Sequence, residues 1–167
     1  MNDPLASAIA GVQDRIRLTP DAAHARFASN SRLTQGFRSE VDIRQHHLTV
    51  DEPPALGGSD AGPNPVELVL AALGACQEIT YRAYATALGI PLDAVAVNLE
   101  GDLDLRGFLG LNDAVRPGYG AIRGTVQLRS SASPEQLAQL KAAVDAHCPV
   151  LDMLSRPVPI ALELQRL

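Results

Sequence analysis

The chain has 167 residues, 46% of them hydrophobic, with a formal net charge of −5 and a pI near 5.3. That length supports one domain, 1–167, with a real core, and is too short for two large ones. The acidic balance and the lack of a basic run exclude sequence-independent binding to nucleic acid or to an anionic membrane, since both need a basic surface.

Taken in chain order, Leu5, Ile9, Val12 and Ile16 recur at helical spacing and predict a helix over residues 3–18, within an N-terminal helical extension of residues 1–20. The opening MNDPLASAIAGVQDRIRL lacks the basic n-region and small-residue cleavage site of an export signal. The longest apolar run, Leu68 to Cys76, is about half of what a membrane span requires, so a cytoplasmic protein is expected. From Arg26 to Val50 the pattern turns strand-like, with Val41 and Ile43 two apart and a turn near Arg44 and Gln45, which predicts a hairpin. DEPPALGGSDAGPNP, residues 51–65, carries four prolines and three glycines and should form a functional loop without regular structure.

A long helix should follow, with Asn64 as N-cap, Pro65 at N1, Glu67 at N3 in capping-box spacing, and Gly89 and Pro91 ending it near Leu88. It is apolar nearly all round and must be enclosed. A chain this small is hard pressed to do that alone, which predicts a homodimer. Alternation in AVAVNLEGDLDLR (94–106) and AIRGTVQLR (121–129) predicts half-buried strands on either side of the glycine-punctuated GFLGLNDAVRPGYG. Ser133, Pro134 and Gln136 open a second helix that should end at Cys148, because Pro149 disfavours helical geometry before it. LDMLS forms a turn or short helix, and PVPIALELQR alternates as a final strand. No regular βαβ repeat appears, so the fold class is α+β.

Leu137, Leu140, Val144 and Cys148 share one stripe of the second helix, so Cys148 faces the core. Packing of that stripe on the first helix would bring Cys148 towards Cys76, although 72 residues separate them. In a reducing compartment two such cysteines are either buried apolar side chains or a reversible redox pair, and both readings stand at this point. Burial raises a thiol pKa unless a cation or donor is near. Cys76 lies twelve residues past the cap, beyond the helix dipole's reach, so an arginine from elsewhere is the expected source.

GGSDAGPNPVELVLAALGACQEIT, followed far downstream by HCPVLDML, resembles the OsmC/Ohr family of thiol-dependent hydroperoxide reductases. The resemblance runs from about residue 24 to 167 and includes DEPPALGG, RPGY and the closing CPV. It implies an intertwined α+β homodimer with two central helices packed on antiparallel sheets and active sites at the subunit interface. Cys76 would attack an organic hydroperoxide, Cys148 would resolve the sulfenic acid as a disulfide, and a dithiol reductant would reset the pair. The chemistry needs no cofactor and no metal. Peroxidase members carry a glutamate directly after the asparagine-proline pair, paired with an arginine that holds the thiolate. Here Val66 takes that position and Glu67 follows, about 100° further round the helix, so Glu67 is either a site acid or only a cap. Arg38, in GFRSEV, best matches the arginine, with Arg32 and Arg44 as alternatives.

The remaining motifs carry less. His46, His47 and His147 lack metal-ligand spacing, GGSDAG has Ala61 where a nucleophile elbow needs glycine, and GYGAIRG is one residue too long for a dinucleotide fingerprint. Tyr81 and Tyr84 either line a pocket or pack. A protein of the same fold that binds a hydrophobic small molecule without peroxide turnover is the rival reading.

Overall fold

The structure is a computed structural model that describes residues 4–166. The N-terminal helix α1 spans Pro4–Leu18 and buries no residue, and a single 3-10 turn follows at Pro20–Ala23. Residue 3, included in the expected helix, lies outside the described residues.

Where one hairpin was expected, three strands form an antiparallel meander: β1 Asn30–Gln35, β2 Arg38–Ile43 and β3 His46–Val50. Gly36, at φ +56°, makes the first reversal. Arg44, also at φ +56°, sits in the expected second one, and Val41 then faces Leu48. The extra strand NSRLTQ escapes a periodicity reading because it buries nothing and forms only through its partner's ladder.

The proline-rich segment 51–64 is irregular apart from one 3-10 turn at Pro54–Leu56. Asp51 organises it. Its carboxylate, 2% exposed, accepts from the Glu52 N–H (2.8 Å), the Ser59 N–H (3.0 Å), the Ser59 hydroxyl (2.6 Å) and the Ala61 N–H (3.2 Å). The Ser59 hydroxyl and those amides outweigh burial and hold its pKa at about 2. Gly58 and Gly62 let the backbone close, since a Cβ there would meet the carbonyl oxygens of Glu52 at 1.8 Å and Thr49 at 2.1 Å.

Helix α2 spans Pro65–Leu88. Its capping box closes in both directions: the Asn64 N–H donates to Glu67 Oε2 at 2.9 Å and the Glu67 N–H to Asn64 Oδ1 at 2.8 Å. Strands β4, Ala94–Leu103, and β5, Tyr119–Arg129, form a two-stranded sheet. Gly124 packs on the Asn98 carbonyl where a Cβ would come within 2.1 Å. Leu105, expected in the strand, instead opens the one-turn helix α3, Leu105–Phe108, because Asp104 accepts the Arg106 N–H and caps a new turn.

Helix α4, Pro134–His147, starts on the Ser133–Gln136 capping box and ends on Cys148, which is also the N-cap of α5, Pro149–Ser155. The expected last strand is absent: residues 157–166 adopt no strand, and Ile160, Leu162 and Leu164 are 81%, 92% and 100% exposed. Alternation marks a face that wants covering, but a strand exists only where a neighbour offers its ladder, and none pairs with this segment among the described residues.

The architecture is α+β with antiparallel sheets. By compactness the chain divides into Met1–Ala72 with Asn98–Thr125, and Leu73–Val97 with Val126–Leu167. The core of the second unit joins Tyr81, Ala85, Ile90, Leu92, Leu140 and Val144, with Tyr84, Val95, Leu128 and Ala132 packed around it.

Candidate functional site

Two free thiols meet beside that core. Cys148 lies on the same α4 stripe as the fully buried Leu140 and Val144 and is itself 1% exposed. The Cys148 thiol donates to Cys76 Sγ across 3.3 Å, so tertiary packing brings together two sulfurs 72 residues apart in the chain. A disulfide bond is about 2.0 Å long, so closure needs an approach of about 1.3 Å, within reach of side-chain rotation.

The Cys76 surroundings favour the protonated thiol. Burial is the largest influence and pushes its pKa up, and the neighbouring Cys148 pushes the same way. The backbone N–H of Val150, in the first turn of α5, and the Thr80 hydroxyl act in the opposite direction. That hydroxyl also donates to the Cys76 carbonyl at 2.7 Å, one turn back along α2. A thiolate here has the Val150 amide to accept from, since the single Thr80 hydroxyl proton is given to the Cys76 carbonyl, but needs a full positive charge to form readily at neutral pH.

Within a single chain helix α2 is covered on one side. It buries Leu73, Gln77, Thr80, Tyr81 and Ala85, while Ile79 is 70% exposed. The sequence shows an apolar helix, but whether one chain covers it depends on what the rest of the chain can reach. Tyr81 is a core residue, and Tyr84 stacks on His147 with ring centroids 5.0 Å apart.

Most of the other candidate side chains have partners of their own. The Glu67 carboxylate is taken by the Asn64 amide, and nine residues of ideal helix set it about 13 Å before Cys76 along α2 and on the opposite side of the helix. Arg38 Nε donates to Glu40 Oε1 at 2.9 Å, and Arg32 pairs with Asp42 at 3.1 Å. Arg44 occupies the turn between β2 and β3. His47 lies between Glu40 and Asp42, and His147 Nδ1 contacts the Ala143 carbonyl. Among the described residues, no group of three or more His, Cys, Asp or Glu side chains is arranged to hold a metal ion, and no helix is long and apolar enough to cross a membrane.

Thr80 and Val150 beside Cys76, and Glu40 beside Arg38, are contacts of the candidate residues that sequence reasoning missed. Thr80 was visible at i+4 from Cys76, and Glu40 at i+2 from Arg38 on a strand. Val150 contributes only its backbone, which side-chain patterns do not show.

The sequence matches the OsmC-like protein family over residues 57–163. Among curated proteins no sequence matches the chain. Among solved structures, an OsmC-like protein of Mycoplasma pneumoniae superposes with a TM-score of 0.67 at 20% identity, covering 78% of this chain and 88% of that one. An organic hydroperoxide resistance protein OsmC of Legionella pneumophila gives 0.61 at 20% identity, covering 79% and 90%. An organic hydroperoxide resistance protein of Elizabethkingia anophelis gives 0.61 at 17% identity, covering 81% and 91%. At these identities the structural likeness establishes the fold.

Proposed function

Because the chain belongs to the OsmC-like protein family, we propose that it is a thiol-dependent peroxidase that reduces organic hydroperoxides, with Cys76 as nucleophile and Cys148 as resolving thiol. The observation that carries this reading is the 3.3 Å separation of the two sulfurs. The Cys76 thiolate attacks the distal oxygen of ROOH, the O–O bond breaks, and the alkoxide leaves as ROH after taking a proton from water, so sulfur is oxidised to sulfenic acid. Cys148 then attacks the Cys76 sulfur, water departs, and a disulfide forms. A dithiol reductant returns both to thiols. That cycle suits a reducing compartment, and we place the protein in the cytoplasm.

Cys148 is buried beside the apolar core residues Leu140 and Val144, which suits a bulky organic peroxide. Glu67 we assign to the helix start, where its carboxylate is already engaged. We further propose a homodimer, since the exposed Ile79 on α2 and the row Val158, Ile160, Leu162 and Leu164 need a cover that one chain does not provide.

One observation favours a second reading. Burial raises the Cys76 pKa, and a thiol that stays protonated is a poor nucleophile, which suits a fold that binds a hydrophobic small molecule without turnover. The two readings separate on consumption of cumene hydroperoxide with dithiothreitol. The peroxidase reading requires turnover by the wild type and its loss in Cys76→Ser; equal rates, or none in either, select the binding protein.

A further inference from the structure

We propose that the cleft between helix α3 and the start of β5 binds a small organic carboxylate with an apolar body, its carboxylate on Arg116 and its body on Leu103, Leu105 and Val115. The cleft has a volume of about 590 Å³, within the range of ligand-sized sites, roughly 300–1,000 Å³. Its lining residues all belong to the 98–125 segment, in the unit that holds no cysteine, so the proposal is independent of the thiol chemistry.

The walls are set by the chain's own contacts. Gly107 of α3 packs on the backbone of Val115 and Arg116, where a Cβ would come within 2.6 and 2.5 Å of their carbonyl oxygens. The chain in between closes on itself. The Leu111 N–H donates to the Arg106 carbonyl at 2.9 Å, the Val115 N–H to the Asn112 carbonyl at 3.0 Å, and the Ala114 N–H to Asn112 Oδ1 at 3.0 Å. Leu103, Leu105 and Val115 supply apolar wall, while Gly118 and Gly120 line the cleft without side chains and leave its volume open.

Three charged side chains line the cleft, and two of them are already answered. Asp102 pairs with Arg123, which also reaches Glu100 at 2.7 Å. Asp104 accepts from Arg106 Nε on both carboxylate oxygens, at 3.0 and 3.1 Å, and from the Arg106 N–H at 3.0 Å. Arg116 differs: among the described residues its guanidinium has no hydrogen-bond or ion-pair partner. A Cβ at Gly118 would lie 3.8 Å from Arg116 Nη2, so the bare glycine leaves the guanidinium open to the cleft. A guanidinium matches a carboxylate through two parallel N–H···O bonds. Apolar wall beside one unanswered cation therefore selects an amphipathic monoanion. An inorganic anion leaves that wall wet, and a neutral chain leaves the cation unused.

The test titrates the intact protein with octanoate near neutral pH, read by backbone amide and arginine Nε–H NMR, with octanol and inorganic phosphate as comparison probes. Octanoate should saturably shift the Arg116 Nε–H and the amides of residues 103–105 and 118–120. Arg116→Gln should weaken octanoate at least about tenfold, and octanol and phosphate should each bind the wild type at least about tenfold more weakly than octanoate does. Because a Cβ at Gly118 meets only an ordinary contact, Gly118→Leu should melt with the wild type and lose octanoate binding. Octanoate that shifts only amides elsewhere, or that binds Arg116→Gln as tightly as the wild type, overturns the proposal. Octanol or phosphate binding as tightly as octanoate also overturns it, by removing the charge or the apolar body from recognition.

Discussion

At the Cys76 sulfur two opposing influences meet. Burial holds the Cys76 thiol protonated, and the Val150 backbone N–H acts the other way. Both cysteines and the stripe carrying Cys148 were legible in the sequence, because a helix's period puts a buried residue on a stated face. The Val150 amide and the Glu40 partner of Arg38 were not, because they are set by approach between segments.

Elements whose ends are fixed locally read well from the sequence. Asn64 and Glu67 satisfy each other's amides within four residues, so the start of α2 was visible without knowledge of its neighbours, and Ser133 and Gln136 did the same for α4. Asn64→Ala and Glu67→Ala should each cost about 1 kcal/mol in chemical denaturation. Turnover per folded molecule should stay at the wild-type level, and a large fall in kcat/KM for Glu67→Ala would return that carboxylate to the chemistry. β1 and the carboxy-terminal tail read poorly for the opposite reason: a strand is defined by its partner, so NSRLTQ became a strand without alternation and PVPIALELQR did not despite having it.

The loop before α2 makes its own prediction. Asp51 has a folded pKa of about 2, below the ordinary carboxylate value. Its contribution is therefore fully present above about pH 4 and disappears as pH falls towards 2. Thermal melts of wild type and Asp51→Asn should differ by a constant amount near neutrality and converge below about pH 4. A gap that persists unchanged at pH 2 would mean the carboxylate's charge is not what holds the loop.

On the scale of the whole molecule, one chain leaves apolar surface that a folded protein normally covers. The tail carries Ile160, Leu162 and Leu164 nearly bare, and Ile79 stands out from α2. Removing residues 157–167 should convert a dimer into a smaller or aggregating species by light scattering with size exclusion, while a wild type that runs as a monomer at micromolar concentration would contradict the assembly.

The account as a whole turns on whether the neighbouring sulfurs exchange electrons with a peroxide. Reduced protein treated with one equivalent of cumene hydroperoxide and analysed by non-reducing peptide mass spectrometry should yield an intrachain bond between Cys76 and Cys148 and an equal amount of cumyl alcohol. Two untouched thiols with the peroxide intact, or sulfinic acid at Cys76 beside a free Cys148, would contradict it.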